Sequence, residues 1–200
     1  MKPGAPPHSL PWPDDERLDT ALLAAGDYRN VMDKYRYWRV EAIKSDLASS
    51  AASLEVAIEN VSRDFNHGTI VRNANAFNVR RVHIVGRRGW NKRGAMKTDA
   101  YLDIVYHRTV ADFLAATTGM HRIAVDIVEG AELLPDVSLP QSAVLVFGAE
   151  GPGLSPEMIA GCTQLVAIPQ LGSTRSVNVG VASGILMYKW AEQHLFSNKR

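Results

Sequence analysis

The C-terminal third constrains the fold more than any other stretch. Residues 143–190 read AVLVFGAEGPGLSPEMIAGCTQLVAIPQLGSTRSVNVGVASGILMYKW. Two short apolar runs, 143–147 and 165–168, each give way to a loop of small and polar residues and then to a helical stretch. Runs of that length, rich in branched side chains, predict strands buried on both faces, as in a parallel sheet. The loops after such strands gather at their carboxyl ends, where α/β proteins bind ligands.

The upstream sequence supplies the rest of such a sheet. Residues 54–58 (LEVAI) predict a first core strand, ENVSRDFNHG a polar loop, and GTIVRNANAFN a helix with Ile70, Val71, Ala74 and Phe77 as its buried stripe. Asn78 stands where that helix must stop and suits a left-handed cap. Further strands are expected at 82–85, 103–107 and 122–128, and a helix over 109–118 opened by Thr109 and Asp112 as a capping box. Residues 129–141, with two prolines, read as a surface loop, and the last helix runs from about 178 to 194. The alternation predicts an α/β fold with a mainly parallel sheet and helices on both faces, in one domain over residues 53–200.

Residues 1–52 differ in character. Five of the ten prolines fall within residues 1–13, which predicts a disordered or extended arm outside any core. Helices are expected over about 14–26 and 30–50, making a helical N-terminal extension. In the second of these, Lys34, Arg36, Arg39 and Lys44 interleave with Tyr35, Tyr37 and Trp38. Such a stretch either packs its aromatics on the domain or meets nucleic acid by stacking and phosphate contact.

The formal net charge is +1, so the chain as a whole is not a basic nucleic-acid binder, and RNA contact must rest on a local patch. One exists: Arg80, Arg81, Arg87, Arg88, Lys92, Arg93 and Lys97 occur without an intervening acid. Gly86, Gly89, Gly94 and Trp90 make this an adaptable loop with a stacking ring, suited to phosphate contact. The lone Cys162 excludes an internal disulfide or a cysteine metal cluster, and reads as a small packed hydrophobe in a reducing compartment. No uninterrupted apolar run approaches a membrane span and the N-terminus carries no signal-like apolar region, so a soluble, cytoplasmic protein is expected.

Three stretches carry candidate chemistry. FGAEGPGLS places Gly148, Gly151 and Gly153 in a turn after a strand, then Ser155 and Pro156 as the opening of a helix. Neither a GxGxxG nor a P-loop pattern occurs, so the usual dinucleotide and nucleotide fingerprints are absent. Glu150 in that turn repels phosphate but suits a cation, a hydroxyl or a backbone amide. IPQLGSTRSVNVGVA offers Ser176 or Asn178 as a helix cap whose free amides face a ligand. NHGTIVR sets Asn66 and Arg72 on either side of a helix start.

Taken together, NxGTIxRxAxAF, then FGxEGxGLS, then IPxxGxxxSxNVxVAxxI resemble the three ordered motifs of the SpoU/TrmH-type RNA ribose 2′-O-methyltransferases of the SPOUT superfamily. The resemblance covers about residues 54–195; Asn73, Asn78 and Val177 depart from the usual Thr, Gly and Leu without removing a functional group. It implies a C-terminal trefoil knot, S-adenosylmethionine as cofactor and no metal. It implies a homodimer with the active site at the subunit interface, for which Ile185, Leu186, Tyr188 and Trp190 of the last helix would serve. Backbone groups near Phe147, Gly148, Gly151, Ile168, Gln170 and Val177 would hold the cofactor. The residues matching the catalytic set are Asn66, Arg72, Glu150, Ser176 and Asn178. Arg72 is too basic to act as a free base, so it would bind the neighbouring phosphate and stabilise developing alkoxide charge, oriented by Glu150 and Asn66. Among RNA substrates, tRNA is favoured over rRNA, because a separate N-terminal RNA-binding domain is lacking. The competing readings are a non-catalytic knotted RNA-binding protein, another α/β nucleotide-binding enzyme, and an rRNA-directed methyltransferase.

Overall fold

In the computed structural model, residues 4–60 and 66–196 are described, and they fall into two compact units, residues 1–50 and 51–200. Among the described residues no helix is long and apolar enough to cross a membrane.

The first unit is built around a buried carboxylate. Helix α1 (Thr20–Ala25) starts where the Asp19 side chain accepts the amides of Ala21 and Leu22, and ends at Gly26, whose φ of 89° is left-handed. Asp27 follows and is fully buried. Its carboxylate accepts from Arg29 Nε at 2.9 Å, Arg29 Nη2 at 2.6 Å and the Tyr37 amide at 2.9 Å. Burial pushes the Asp27 pKa up, but the Arg29 side chain and the backbone amides outweigh it and hold it at about 2. These bonds claim the backbone across 29–38, and Tyr37 takes a φ of 64°. The helix expected over 30–50 is therefore shortened to α2 (Val40–Ser49), preceded by a single tight turn over Asp33–Tyr35. The basic aromatic stretch is consumed internally: Tyr35 is buried edge-on to Trp38, and the Arg17 guanidinium lies 4.4 Å from the centre of the Trp38 ring. The described part of the proline-rich segment, residues 4–13, is extended yet pinned, through mutual backbone bonds of Ala5 with Asp27 and the Tyr37 hydroxyl donated to Pro6 O.

The second unit is a seven-stranded sheet. In chain order it contains β1 (Ala52–Asn60), α3 (Asn66–Ala76), β2 (Val79–Gly86), β3 (Ile104–His107), α4 (Val110–Ala116), β4 (His121–Val125), β5 (Glu132–Leu133), β6 (Ala143–Phe147), α5 (Pro156–Ala160), β7 (Gln164–Ala167) and α6 (Val179–Ala191). Strand order is β3-β2-β1-β6-β4-β7-β5, with every pairing parallel. Of the expected polar loop, Glu59 and Asn60 belong to β1, Asn66 opens α3, and residues 61–65 lie outside the described residues. Asn78 has the left-handed φ (47°) expected of it, and Thr109 with Asp112 forms the capping box.

Alternation along the strands divides the core between two faces. Leu145 and Phe147 of β6 pack with Ile70 and Val71 of α3 and with Leu186 and Trp190 of α6. Val144 and Val146 pack on the opposite side with Phe113 of α4 and Met158 of α5. Chain segments 129–141 are not the surface loop that their prolines suggest. Leu134, Val137 and Leu139 are buried, and the region is stitched to the end of α6 by Gln193 Nε2 to Val137 O (2.9 Å) and Trp190 Nε1 to Pro140 O (3.1 Å). Gly68 of α3 is set by a close approach: a Cβ there would meet the Ala95 backbone nitrogen at 2.7 Å.

Candidate active site

The ends of β4, β6 and β7 enclose a cavity of about 420 Å³. Its walls are apolar where the strands supply them, at Val125, Val166, Ala167 and Ile168, and polar where the loops do, at Asp126, Glu150, Gln170, Arg175, Ser176 and Asn178. Its size and its mixture of apolar wall with a few convergent polar groups suit a small-molecule site.

The turn after β6 is folded so tightly that Gly148 is obligatory: a Cβ there would lie 2.3 Å from the Gly153 carbonyl carbon. Gly153 N donates to Ala149 O at 3.0 Å and Gly153 has a φ of 69°, which closes the turn and projects Glu150 from its tip. Ser155 then caps α5 by accepting the Met158 amide at 3.2 Å, as expected of the Ser-Pro pair. Two acids that the sequence did not single out hold this turn in place. Buried Glu59, near the end of β1, accepts the Ser155 amide at 2.8 Å, and Asp126, just past β4, accepts the Leu154 amide at 2.9 Å.

The three motifs meet in one hydrogen-bonded chain. Asn178, rather than Ser176, is the cap of α6, its Oδ1 accepting the amides of Gly180 at 2.9 Å and Val181 at 3.3 Å. That fixes its amide orientation, so Asn178 Nδ2 donates to Asn66 Oδ1 at 2.8 Å. Asn66 Nδ2 in turn donates to the Glu150 carboxylate. Every donor and acceptor direction follows from the helix amides at one end, and a carboxylate acceptor is required at the other.

Arg72 stands apart. It lies six residues beyond Asn66 on α3, about 240° around the helix axis, and is exposed. Among the described residues no hydrogen bond or ion pair joins it to Glu150 or Asn66, so the expected orientation of Arg72 by these two does not occur within one chain. Its neighbour Asn73 instead donates to Gly180 O (2.9 Å) and Ser183 Oγ (3.0 Å), fastening α3 to α6.

Of the expected cofactor contacts, Gly148, Gly151, Ile168, Gln170 and Val177 line the cavity, as do Glu150, Ser176 and Asn178. Phe147 is completely buried in the core and is absent from the lining. Arg175 lines the cavity and was not anticipated. Cys162 packs against the second core cluster, where burial pushes its thiol up to about 11, so it is not a reactive thiolate at neutral pH.

The basic stretch is partly neutralised by acids beyond it. Arg81 pairs with Asp103 at 2.6 Å and Lys92 with Asp99 at 2.7 Å, while Arg80, Arg87, Arg88, Arg93 and Lys97 are exposed. Trp90 does not offer a stacking ring, because it is only 8% exposed and belongs to the core. On α6, Leu186 and Trp190 are likewise buried within their own chain and supply no outer surface; Val181, Ile185 and Tyr188 form the exposed stripe.

Residues 53–188 match the SpoU rRNA Methylase family. The chain is 28% identical over 167 residues to the tRNA (guanosine(18)-2′-O)-methyltransferase of Escherichia coli K12, covering 81% of this chain and 72% of that one. It is 31% identical over 193 residues to an uncharacterized tRNA/rRNA methyltransferase of Mycolicibacterium paratuberculosis, covering 92% of this chain but only 61% of that protein. Among solved structures, the TrmH/SpoU tRNA modifying enzyme of A. aeolicus superposes with a TM-score of 0.70 over 80% of this chain and 84% of its own, at 24% identity, a likeness of fold. A structure concerned with 2-OH methylation of C/U34 on tRNA aligns at 26% identity with a TM-score of 0.63, over 74% of this chain and 97% of that one.

Proposed function

From the premise that this chain belongs to the SpoU rRNA methylase family, we propose that it methylates a ribose 2′-hydroxyl of structured RNA, with tRNA as the favoured substrate. It is an RNA methyltransferase, and S-adenosylmethionine supplies the methyl group, carried on a positively charged sulfur. The cavity suits that molecule. Its apolar wall at Val125, Val166 and Ile168 can hold an adenosine, and its lining carries side chains of both charge signs, as suits a ligand bearing both an ammonium and a carboxylate. Backbone groups of Gly148, Gly151, Ile168, Gln170 and Val177 are the proposed contacts.

The observation that carries the reading is the chain from Glu150 through Asn66 to Asn178, which unites all three motifs at the mouth of the cavity. A ribose hydroxyl is a weak nucleophile and needs help in losing its proton and in being aligned. Glu150, Asn66 and Asn178 hold one another rigid and shape the floor on which the hydroxyl rests, with Ser176 beside it. Arg72 points outward, and in a homodimer that faces α3 and α6 of one copy toward the other, it would reach the partner's site. There it would bind the phosphate next to the acceptor ribose and stabilise charge developing on the oxygen. The exposed stripe of Val181, Ile185 and Tyr188, beside an apolar hollow at Leu134, Pro135 and Pro169, supports such a dimer. Exposed Arg80, Arg87, Arg88, Arg93 and Lys97 are proposed to carry the RNA backbone, with Arg81 and Lys92 held in ion pairs at its edge. The proposal includes the knot: α6 follows β7 near one edge of the sheet, yet packs on α3 and β6. A cytoplasmic location goes with an RNA substrate of this kind.

Incubation with radiolabelled S-adenosylmethionine and separated tRNA and rRNA lacking endogenous modification, followed by nucleoside mapping, tests this. A 2′-O-methylated nucleoside from tRNA is expected. The same nucleoside from rRNA alone would transfer the assignment to rRNA, and cofactor binding without transfer to either pool would favour a non-catalytic RNA-binding protein.

A further inference from the structure

We propose that Asp126 receives the ribose diol of the adenosyl group, and so sets the register of the methyl donor in the cavity; this rests on the reading of the cavity as an S-adenosylmethionine site. Asp126 is the first residue past β4, between the ends of β6 and β7, and its own amide donates to Val166 O at 3.2 Å. Its carboxylate is immobilised without being saturated. Oδ2 accepts the Leu154 amide at 2.9 Å and Oδ1 the Ile127 amide at 2.7 Å, which leaves acceptor capacity on both oxygens. Gly153 makes room for it: a Cβ there would lie 2.5 Å from Asp126 Oδ2.

Among the described residues two carboxylates line the cavity, Asp126 and Glu150. Glu150 is engaged by Asn66 at the reacting end. Asp126 lies across the Gly148–Gly153 turn, next to the apolar wall of Val125 and Val166 suited to the adenosine. Two adjacent hydroxyls present two donors side by side, and a fixed carboxylate presents two acceptors at matching separation, a pairing also used by acids that read nucleotide ribose. Since both oxygens are pinned by backbone amides, the side chain loses little freedom on binding.

Calorimetric titration of wild type and Asp126→Asn with S-adenosylhomocysteine and its 2′,3′-dideoxyribose analogue decides the matter. Asparagine keeps one acceptor for the Leu154 amide, and Asp126→Ala serves as a second variant, with circular dichroism checking that each folds. Wild type should bind the dideoxy analogue roughly 10-fold or more weakly, and the variants should bind the two compounds within about 3-fold of each other. Variants that keep the wild-type preference for the diol, or that lose affinity for both compounds equally, would overturn the assignment while leaving the cofactor site intact. A wild-type protein that binds neither compound would remove the cofactor site itself.

Discussion

Glu55 and Glu150 each head a chain of two polar side chains drawn from distant segments, and the two chains do opposite work. Glu55 accepts from His83 Nε2 at 2.7 Å, and His83 Nδ1 meets His107 Nε2 at 2.8 Å. All three side chains are buried, at 4%, 3% and 8% exposure, with the edge of Phe113 against both imidazoles. Nothing can enter, and the chain ties β1, β2 and β3 together beneath α4. The Glu150 chain uses the same logic of carboxylate and nitrogen donors, but it opens on a cavity and is anchored to the free amides at the start of α6. Residue type does not separate structure from site here. What separates them is whether the polar atoms end against a ring or against a space that a ligand can fill.

The comparison can be broken at either end. Asn178→Ala removes the link to Asn66 and the cap together. Methyl transfer per folded molecule should fall on the order of 10³-fold, while unfolding free energy should fall by only about 1 kcal/mol; single-turnover transfer and urea denaturation measure the two. Glu55→Ala should show the reverse, a loss of about 3 kcal/mol from stranding a buried donor, with transfer by the folded fraction changed less than about 2-fold. A smaller effect distinguishes the chains by pH. Burial, and then His83 beside it, depress the His107 pKa below its ordinary value of 6.5. The unfolded chain therefore takes up this proton first, so stability should decline as pH falls below 6.5 toward the lower folded-state value and level off beyond it. Denaturation midpoints across that window should show the slope, and His107→Gln should flatten it.

Much of this was legible in the residues. Every strand of the sheet but β5, which falls in the stretch expected to be a surface loop, was anticipated, as were the capping box at Thr109, the left-handed Asn78 and the convergence of Asn66, Glu150 and Asn178. The misses share a cause: side chains whose partners are remote in sequence. Trp90 and Trp190 look like surface rings until the packing that buries them is known. Leu134, Val137 and Leu139 form too short a pattern to announce burial, and the break before α2 comes from Asp27, a residue with no local signal of its role. Asp126 was hidden in the run RIAVDIV, read as one strand, whereas pairing stops at Val125 and frees the acid to face the cavity.

The most direct test of the central claim is Glu150→Gln, assayed for methyl transfer and for S-adenosylhomocysteine binding on the same preparation. If Glu150 is the required anionic end of the chain, transfer should drop by about 100-fold or more while affinity moves less than about 3-fold. Transfer at the wild-type rate would contradict the claim and reduce the Glu150–Asn66–Asn178 chain to a structural tie like that of Glu55.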